Sequence, residues 1–495
     1  MENAKHTIQI AFYGDDFTGS TDAMEFLCRA GLRTVLFIDV PTPSQLETFG
    51  EVDAIGVAGL TRSLDPVAME AVLKPAFEAL RVLLPRHVHY KVCSTFDSSP
   101  SIGSIGKALE MGKEVFQTPL IPLIVAAPVL GRYMAFGNLF ARMGIGSNGK
   151  VYRLDRHPSM MHHPSTPATE SDLRLHLAKQ TTMSCGLITL PQLGMGVQEF
   201  KTLCNNSIED GEQMIMMDAV EQEQLTRMGS WIDALANDKP LFSVGSSGIE
   251  MALGQHWNKQ QYYQPKKDWP ALQTADPLLV LSGSCSPITG QQIDDALSIG
   301  FAEVIITPQI DAHLSTTVAS IINLLQQGRS VIVHTNGTRH KTAAIPASTL
   351  GTLLGNLALR VLEEIALQRI LIAGGDTSSY VARALGVIAV EMIAPLTPGA
   401  PICKAIADNK FVHGLELVFK GGQLGNSTYF DEVRGGLPSE ARNLLHTRAA
   451  AGDSSLCSEE TNTQGAAGDS SLRSEETNTQ GAAGDSSLRS EGTNT

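Results

Sequence analysis

The chain has 495 residues, of which 43% are hydrophobic, and its formal net charge is −14 at pH 7. This length is too great for one hydrophobic core, so we expect two domains of ordinary size with additional segments. The negative charge argues against nucleic acid or an acidic membrane surface as a partner, but small anionic ligands need only a local basic site.

The cysteines and the N-terminus bear on the cellular location. The seven cysteines are scattered singly, without metal-ligand spacing, which favours reduced thiols. The N-terminus lacks a basic segment followed by a long apolar run, and the apolar stretch 119–130 is short and broken by Pro122 and Pro128. We therefore expect a cytoplasmic protein without a signal peptide or a membrane span.

Residues 8–31 predict a strand and a helix with two acidic residues between them. An apolar run that ends at Gly14 is typical of a buried strand in a parallel sheet. The helix is expected to be capped by a hydroxyl residue, Thr18, Ser20 or Thr21. Asp15 and Asp16 then lie at the carboxyl end of a strand, where α/β enzymes place their chemistry. Two ordinary turn residues explain the pair about equally well.

Two further loops of the first half carry candidate binding residues. Arg62 follows a strand-like run and could bind a carboxylate bidentately, although a solvated loop arginine is at least as common. Residues 89–106 combine many hydroxyls with Lys91 and Asp97, a mixture of donors and acceptors that suits a polyol or hydroxy acid. A serine-rich surface turn is the alternative interpretation. Three nearby histidines, His157, His162 and His163, are separated by prolines that oppose a helical pair of metal ligands.

The chain divides into two α/β halves and a repetitive tail. The polar stretch 255–277 is the best candidate linker, and we expect two open α/β domains, residues 1–254 and 278–440, with a cleft between them. A helical pattern covers 67–83, and apolar runs predict strands within 34–40, 52–58, 121–127, 185–190, 278–284, 303–308, 330–335, 369–375 and 414–422. Residues 441–495 contain 16-residue repeats with almost no large apolar side chains, which predicts a disordered tail.

Three glycine-rich segments follow predicted strands of the second half, at 281–293, 372–386 and 419–425. Glycine lets backbone N–H groups approach phosphate oxygens, and a following helix adds its dipole. Asp376 could hold Mg²⁺, and Lys420 could neutralise phosphate charge. None of the segments is a P-loop or a dinucleotide GxGxxG motif, and each alone is weak. Three in one domain favour nucleotide binding.

Five motifs occur in the order found in the four-carbon acid sugar kinases: GDDFTGS at 14–20, KVCSTFDSS at 91–99, HPSTPATESDL at 163–173, LSGSCS at 281–286 and GGDT at 374–377. The chain resembles this family from Ile8 to about Val433. The resemblance implies an N-terminal domain that binds an acid sugar and a C-terminal domain that binds ATP. It further implies transfer of the γ-phosphate to a terminal hydroxyl.

The same resemblance implies roles for particular residues. Substrate contacts are implied at Asp16, Arg62 and the segment Lys91, Val92, Cys93 and Ser94. ATP contacts are implied at Ser282 or Ser284, at Gly374, Gly375, Asp376 and Thr377, and at Gly422. Asp16 is our candidate base for the attacking hydroxyl, with Asp15 and Asp97 as rival candidates on the substrate side. The phosphates of ATP are expected to require Mg²⁺, held by Asp376, and a cation such as Lys420.

Departures from the family pattern bear on the substrate. The chain has KGGQLG at 420–425 where members acting on simple tetronates more often resemble KSGNFG. The segment 126–142 is similar to a branch linked to 3-oxo-isoapionate, and CSTFDS at 93–98 looks like members acting on 3-oxo acids. We expect 3-oxo-isoapionate or 3-oxo-tetronate as the substrate. A D-erythronate or D-threonate kinase and a non-catalytic acid-sugar sensor are the alternatives. The oligomeric state stays open, with a homodimer as one option.

Overall fold

A computed structural model describes residues 8–143, 149–163, 165–306, 314–335, 345–422 and 424–436. The predicted disordered tail, 441–495, lies outside these described residues, as do the last residues of the predicted second domain, 437–440. Among the described residues, no helix combines the length and apolar character that crossing a bilayer requires. The six described cysteines are all free thiols.

The first half alternates strands with helices. Its strands are β1 (Ile10–Gly14), β2 (Thr34–Phe37), β3 (Ala54–Ala58), β4 (His87–Lys91), β5 (Ile121–Ile124), β6 (Arg132–Ala135), β7 (Asn138–Arg142), β8 (Val151–Arg153), β9 (Cys185–Ile188), β10 (Met214–Met217) and β11 (Leu241–Gly245). Its helices are α1 (Phe17–Arg29), α2 (Pro43–Phe49), α3 (Pro66–Val82), α4 (Ile105–Phe116), α5 (Leu173–Leu177), α6 (Val197–Glu209), α7 (Gln222–Leu235) and α8 (Gly248–Lys259). Strands β6, β7 and β8 form a small antiparallel sheet that follows β5.

The second half repeats this alternation. Its strands are β12 (Leu279–Ser282), β13 (Ala302–Ile305), β14 (Val331–His334), β15 (Arg369–Ala373), β16 (Val387–Thr397), β17 (Ala400–Ala407) and β18 (Glu416–Lys420). Its helices are α9 (Pro287–Ser298), α10 (Leu314–Gln326), α11 (Ala347–Glu364), α12 (Gly375–Ala384) and α13 (Tyr429–Gly435). Each predicted apolar run overlaps a strand, and the predicted helix at 67–83 coincides with α3, so the predicted α/β class is confirmed.

One sheet of 15 strands runs through both halves of the described chain, in the order β13-β14-β12-β15-β18-β17-β16-β2-β3-β1-β4-β11-β5-β10-β9. The strands that the first half contributes to this sheet are parallel, and β16 joins them by pairing antiparallel to β2. Phe17 of α1 also packs on Phe419 of β18, with ring centroids 4.1 Å apart. The sequence did not predict this continuity, because strand pairing between distant segments leaves no local pattern.

The predicted linker 255–277 is partly helical. Residues 255–259 form the last part of α8, and residues 260–277 contain no helix or strand. The remainder lies close to the first half, where the N–H of Lys266 donates to the carbonyl of Arg29 at 2.9 Å. The linker is therefore packed against α1.

Parallel pairing brings several loops to one edge of the sheet. Gly14, the last residue of β1, is level with Ala58 of β3 and with Lys91 of β4. All five residues of β1 are buried, as the apolar run predicted. The loops that follow β1, β3 and β4 therefore emerge side by side, and these are the loops that carry the polar candidates of the first half.

Candidate active site

Asp16 begins α1. Its Oδ1 accepts the N–H of Gly19 at 2.7 Å, and its Oδ2 accepts the hydroxyl of Thr18 at 2.9 Å. The prediction that Thr18, Ser20 or Thr21 would cap this helix is wrong. A carboxylate placed before the first turn satisfies the free N–H of the third helical residue, and the hydroxyl of Ser20 instead donates to the carbonyl of Asp16 at 2.6 Å.

Arg62 joins both carboxylates of the acidic pair. Its Nε and Nη2 donate to Asp15 at 3.1 and 2.7 Å, and its Nη1 donates to Asp16 Oδ2 at 2.6 Å. Burial raises the pKa of Asp15, with Arg62 acting in the opposite direction. Burial opposes the charge of Arg62, but Asp15 and Asp16 raise its pKa well above its ordinary value. The predicted carboxylate-binding arginine thus already pairs with carboxylates of its own chain.

Lys91 lies behind the same loop. The backbone N–H of Asp15 donates to the carbonyl of Lys91 at 2.8 Å. The buried ammonium of Lys91 donates to the carbonyl of Val92 at 3.1 Å and lies 3.5 Å from Asp22 Oδ2. A Cβ on Gly19 would lie 2.6 Å from Asp16 Oδ1 and 3.1 Å from Lys91 Nζ. Asp15, Asp16, Arg62 and Lys91 therefore form one compact charged group.

The segment that follows Lys91 continues along the same edge. The N–H of Val92 donates to Gly245 at 2.7 Å, and the Cys93 thiol lies 2.9 Å from Thr95 Oγ1. Burial raises the pKa of Cys93 to about 11, so its sulfur stays protonated near neutral pH. Ser94 is partly exposed, whereas Asp97 is buried and its Oδ1 has no hydrogen-bond partner among the described residues. This segment can therefore offer both donors and acceptors to a ligand.

The three glycine-rich segments of the second half converge, because β12, β15 and β18 are neighbours in the sheet. The N–H of Gly374 donates to the carbonyl of Lys420 at 2.8 Å. A Cβ on Gly374 would lie 2.8 Å from Thr377 Oγ1, and one on Gly422 would lie 3.3 Å from Ser284 Oγ. Ser282 is buried at the end of β12, and its Oγ has no partner among the described residues. The predicted nucleotide residues are thus brought together.

Lys420 is a buried cation within this group. Its Nζ donates to Thr289 Oγ1 at 3.1 Å and to the carbonyl of Gly421 at 2.9 Å, and its side chain has no ion-pair partner among the described residues. Burial lowers the pKa of Lys420 to about 7. Because its partners are neutral, an anion bound here would stabilise the charged ammonium.

The loops of the two halves meet at Asp16. A Cβ on Gly375 would lie 3.0 Å from Asp16 Oδ2 and 3.7 Å from Thr18 Oγ1. Burial and the charge of Asp16 raise the pKa of Asp376, whereas Arg62 and His163 act in the opposite direction. The predicted catalytic aspartate therefore lies beside the N-terminus of α12, between the predicted substrate residues and the predicted ATP residues.

Comparison with known proteins assigns both halves. Residues 10–253 match the family model described as a sugar-binding N-terminal domain, and residues 279–430 match a nucleotide-binding C-terminal domain. A 3-oxo-isoapionate kinase from Paraburkholderia graminis is 38% identical over 451 residues, covering 86% of this chain and 94% of the relative. The chain belongs to the four-carbon acid sugar kinase family. It is therefore a kinase.

Two further comparisons cover most of this acid sugar kinase. A 3-oxo-tetronate kinase from Cupriavidus necator is 30% identical over 437 residues, covering 86% of this chain and 97% of the relative. A crystal structure from Salmonella typhimurium LT2 superposes with a TM-score of 0.69 at 25% identity and covers 86% of this chain and 98% of that chain. The relatives are thus matched over almost their whole length.

Sequence reasoning missed several residues of this acid sugar kinase. Asp22 faces Lys91, and burial raises the pKa of Asp22 while Lys91 and the hydroxyl of Ser247 oppose the rise. Glu250 is buried, with its Oε1 2.5 Å from His89 Nδ1. Ser247 and Glu250 could have been found from the sequence, because SVGSSGIE at 243–250 has the same pattern of an apolar strand, glycines and a helix as the other candidate loops. Asp22 lies within α1 and carries no comparable signal.

Few described side chains of this kinase are placed to bind a metal ion. Among the described residues, no group of three or more histidine, cysteine, aspartate or glutamate side chains could hold a metal ion. The Nδ1 atoms of His157 and His163 instead accept backbone N–H groups of nearby residues. Asp376 and Asp16 remain as two neighbouring carboxylates, which suits Mg²⁺ because this ion binds through one or two carboxylates and the phosphates of its nucleotide.

Proposed function

We propose that the protein transfers the γ-phosphate of ATP to the terminal hydroxyl of a 3-oxo acid sugar, with 3-oxo-isoapionate favoured over 3-oxo-tetronate. The single observation that carries the reaction is the position of Asp16, which pairs with Arg62 of the sugar-binding domain and lies against Gly375 of the nucleotide-binding domain. The preferred substrate is supported by the higher identity to the 3-oxo-isoapionate kinase, 38% against 30%.

Asp16 is the proposed general base. A base must lie within hydrogen-bond reach of the hydroxyl that attacks the γ-phosphate. Arg62 orients the Asp16 carboxylate, and the N–H of Gly19 holds its other oxygen. Asp15 is less suited to this role, because Asp16 Oδ2 lies 3.0 Å from the position of a Cβ on Gly375, whereas no atom of Asp15 lies within 4 Å of that position. No described contact brings Asp97 to Gly375, so Asp97 is assigned to substrate binding.

ATP is proposed to bind where the three glycine-rich loops converge. The hydroxyls of Ser282, Ser284 and Thr377 and the backbone of Gly374, Gly375 and Gly422 line this region. Phosphoryl transfer depends mainly on positioning and on charge neutralisation. The ammonium of Lys420 would neutralise phosphate charge, and the N-terminus of α12 would add its dipole.

Mg²⁺ is proposed to bind at Asp376, with Asp16 nearby. When bound, the ion neutralises charge on the transferring phosphoryl group. Asp376 has no ion-pair partner among the described residues, and the Asp16 charge and burial raise its pKa, so a cation would relieve this electrostatic cost. Removal of Mg²⁺ by a chelator is expected to abolish turnover. A homodimer and a cytoplasmic location stay predictions from the sequence.

A coupled assay of ADP formation tests the proposal. The acids compared are 3-oxo-isoapionate, 3-oxo-tetronate, D-erythronate, D-threonate and L-threonate, each with ATP and Mg²⁺. Turnover confined to one 3-oxo acid supports the proposed substrate class, whereas turnover of D-erythronate or D-threonate alone would replace it. Folded protein that binds ATP but consumes it with none of these acids would contradict the assignment and favour a sensor.

A further inference from the structure

Arg132 follows a loop on the substrate side of the site. It begins β6 directly after the loop that follows β5, and its backbone pairs with Ala127. Strand β5 is next to β11, which is next to β4, the strand that ends at Lys91. Parallel strands place their following loops at the same edge, so Arg132 lies on the same side of the sheet as the segment 91–97.

The guanidinium of Arg132 has no acidic partner among the described residues. Its Nη1 donates to the carbonyls of Leu130, Gly131 and Arg142 at 3.0, 3.3 and 3.2 Å, and its buried Nε has no acceptor among the described residues. No carboxylate of the described residues lies within ion-pair distance of this side chain. Burial lowers the pKa of Arg132, with Cys93, Asp97 and Asp22 only partly opposing that change.

The charge of Arg132 is therefore available to a ligand. The positive charge of Arg132 also acts on His157: burial is the larger cause of the lowered pKa of His157, and Arg132 is the second. The other cations of the sugar-binding domain that were expected at the substrate are already near carboxylates. Arg62 pairs with Asp15 and Asp16, and Lys91 lies 3.5 Å from Asp22. An acid sugar brings one carboxylate, which needs a cation that is not already neutralised.

Asp97 complements this cation. It is close enough to Arg132 to act on its charge but forms no ion pair with it, and its buried Oδ1 has no hydrogen-bond partner among the described residues. A buried carboxylate oxygen without a donor is costly, and a ligand hydroxyl would satisfy it. A hydroxy acid between the two side chains would supply an acceptor to Arg132 and a donor to Asp97.

We propose that Arg132 binds the carboxylate of the acid sugar and that Asp97 accepts a hydrogen bond from one of its hydroxyl groups. This assignment rests on the proposed function and sets the direction of the substrate. The carboxylate lies toward the loop after β5, and the terminal hydroxyl lies toward Asp16 and Gly375. Arg132 is thus a determinant of specificity for acids, whereas Arg62 orients the catalytic carboxylate.

The test compares an acid with its neutral carboxamide in the wild-type enzyme and in Arg132→Gln. The variant is expected to raise the KM for the acid by about 10- to 100-fold, the range for hydrogen bonds to charged groups, and to leave the KM values for the carboxamide and ATP unchanged. Glutamine keeps a donor for the carbonyls of the loop. The control is Arg142→Gln, a neighbouring arginine that donates to Tyr133 Oη at 2.9 Å; it should retain the preference for the acid.

If folded Arg132→Gln still prefers the acid over the carboxamide as strongly as the wild type does, Arg132 does not bind the substrate carboxylate. Its hydrogen bonds to the loop carbonyls would then be its only role. If that variant does not fold, Arg132→Lys provides the comparison; it keeps a cation but loses the planar fork, so a severalfold weaker preference is expected. Unchanged preference there would also contradict the proposal.

Separate measurements distinguish failure of the proposed kinase reaction from failure of the proposed role of Arg132. Wild-type turnover of the acid tests the kinase assignment alone. Calorimetric binding of the acid without ATP tests Arg132 even where turnover is absent, with weaker binding of the acid to the variant expected.

Discussion

Asp16 combines three interactions within a few ångströms, because it caps α1, pairs with Arg62 and lies against Gly375. Its position at the end of an apolar strand was predictable from the sequence. Its pairing with Arg62 was not, since 46 residues separate the two along the chain. The charge state of a site depends on such distant pairs, which only folding brings together.

Asp16→Asn is expected to lower kcat by about 100-fold or more, the range for loss of a general base, with little change in the KM for ATP. Asparagine caps helices as well as aspartate does, so α1 should remain intact. Steady-state kinetics and a thermal melt measure the two effects. The control is Asp65→Asn, the same change at the cap of α3, where Asp65 Oδ1 accepts two backbone N–H groups. A kcat equal to that of the control would exclude Asp16 as the base.

Lys420 should make ATP binding depend on pH. Burial lowers its pKa to about 7, so a large fraction of the Lys420 side chains is unprotonated just above pH 7. Phosphate favours the protonated form, hence ATP binding takes up protons and weakens as the pH rises from about 7 to about 9. Calorimetry in two buffers of different ionisation enthalpy measures the uptake. Lys420→Met should remove most of it, whereas Lys410→Met, at an exposed lysine, should not. Equal uptake in both variants would contradict the assignment.

At the scale of elements, α1 connects the two halves. It packs on β17, β18 and α12 of the second half as well as on β2, β3 and α8 of the first. The apolar spacing predicted this helix, and Gly31 follows its last turn with a φ of +98°. The hairpin of β16 and β17 was not predicted, because its pairing with β2 and β18 depends on segments far away in the chain.

Gly19→Ala in α1 is expected to reduce kcat/KM at least tenfold without lowering stability. The added Cβ would lie 2.6 Å from Asp16 Oδ1, so the catalytic carboxylate must move, and small misplacements reduce activity strongly. Helix propensity alone favours alanine over glycine by about 1 kcal/mol. Kinetics and a thermal melt separate these effects. Gly194→Ala is the control, since no atom lies within 4 Å of its added Cβ. Full activity of Gly19→Ala would show that the site tolerates the methyl group.

At the scale of the whole molecule, the continuous sheet couples the domains. Residues Val35, Leu36 and Phe37 of β2 pair with β16, and Arg383 of α12 donates to Asp39 at 2.7 Å and to the carbonyl of Ile38 at 3.0 Å. Helix α12 begins at Gly375, beside Asp16, so these contacts hold the nucleotide loop against the sugar-binding domain. The chain length predicted two domains but could not predict that their strands join in one sheet.

Unfolding by urea is therefore expected to occur in one transition. The tryptophans, Trp231, Trp257 and Trp269, lie in the first half and the linker, whereas circular dichroism reports on both halves. ATP at about 100 times its Kd should stabilise the whole protein by about 2.7 kcal/mol and shift both signals together. A tryptophan transition that ATP does not move would show that the halves unfold independently.

Arg383→Gln supplies a related test at this scale. Its ion pair is partly exposed, with Asp39 80% exposed, so the free energy of unfolding should change by less than about 1 kcal/mol. If the contact holds α12 in place, kcat should nevertheless fall severalfold, and Arg360→Gln on α11 should leave it unchanged. Equal kcat values for Arg383→Gln and Arg360→Gln would show that Arg383 does not position α12.

The sequence by itself determined the α/β class, the strands at which the polar loops begin and the family, because apolar periodicity, glycine placement and ordered motifs are local properties of a chain. Only the tertiary structure decided which charges neutralise one another. Arg62 is satisfied by Asp15 and Asp16, Arg132 has no carboxylate partner among the described residues, and Gly375 lies beside Asp16. These relations depend on distances between residues that are far apart in the chain, and the electrostatic energy of a pair is set by that distance and by burial.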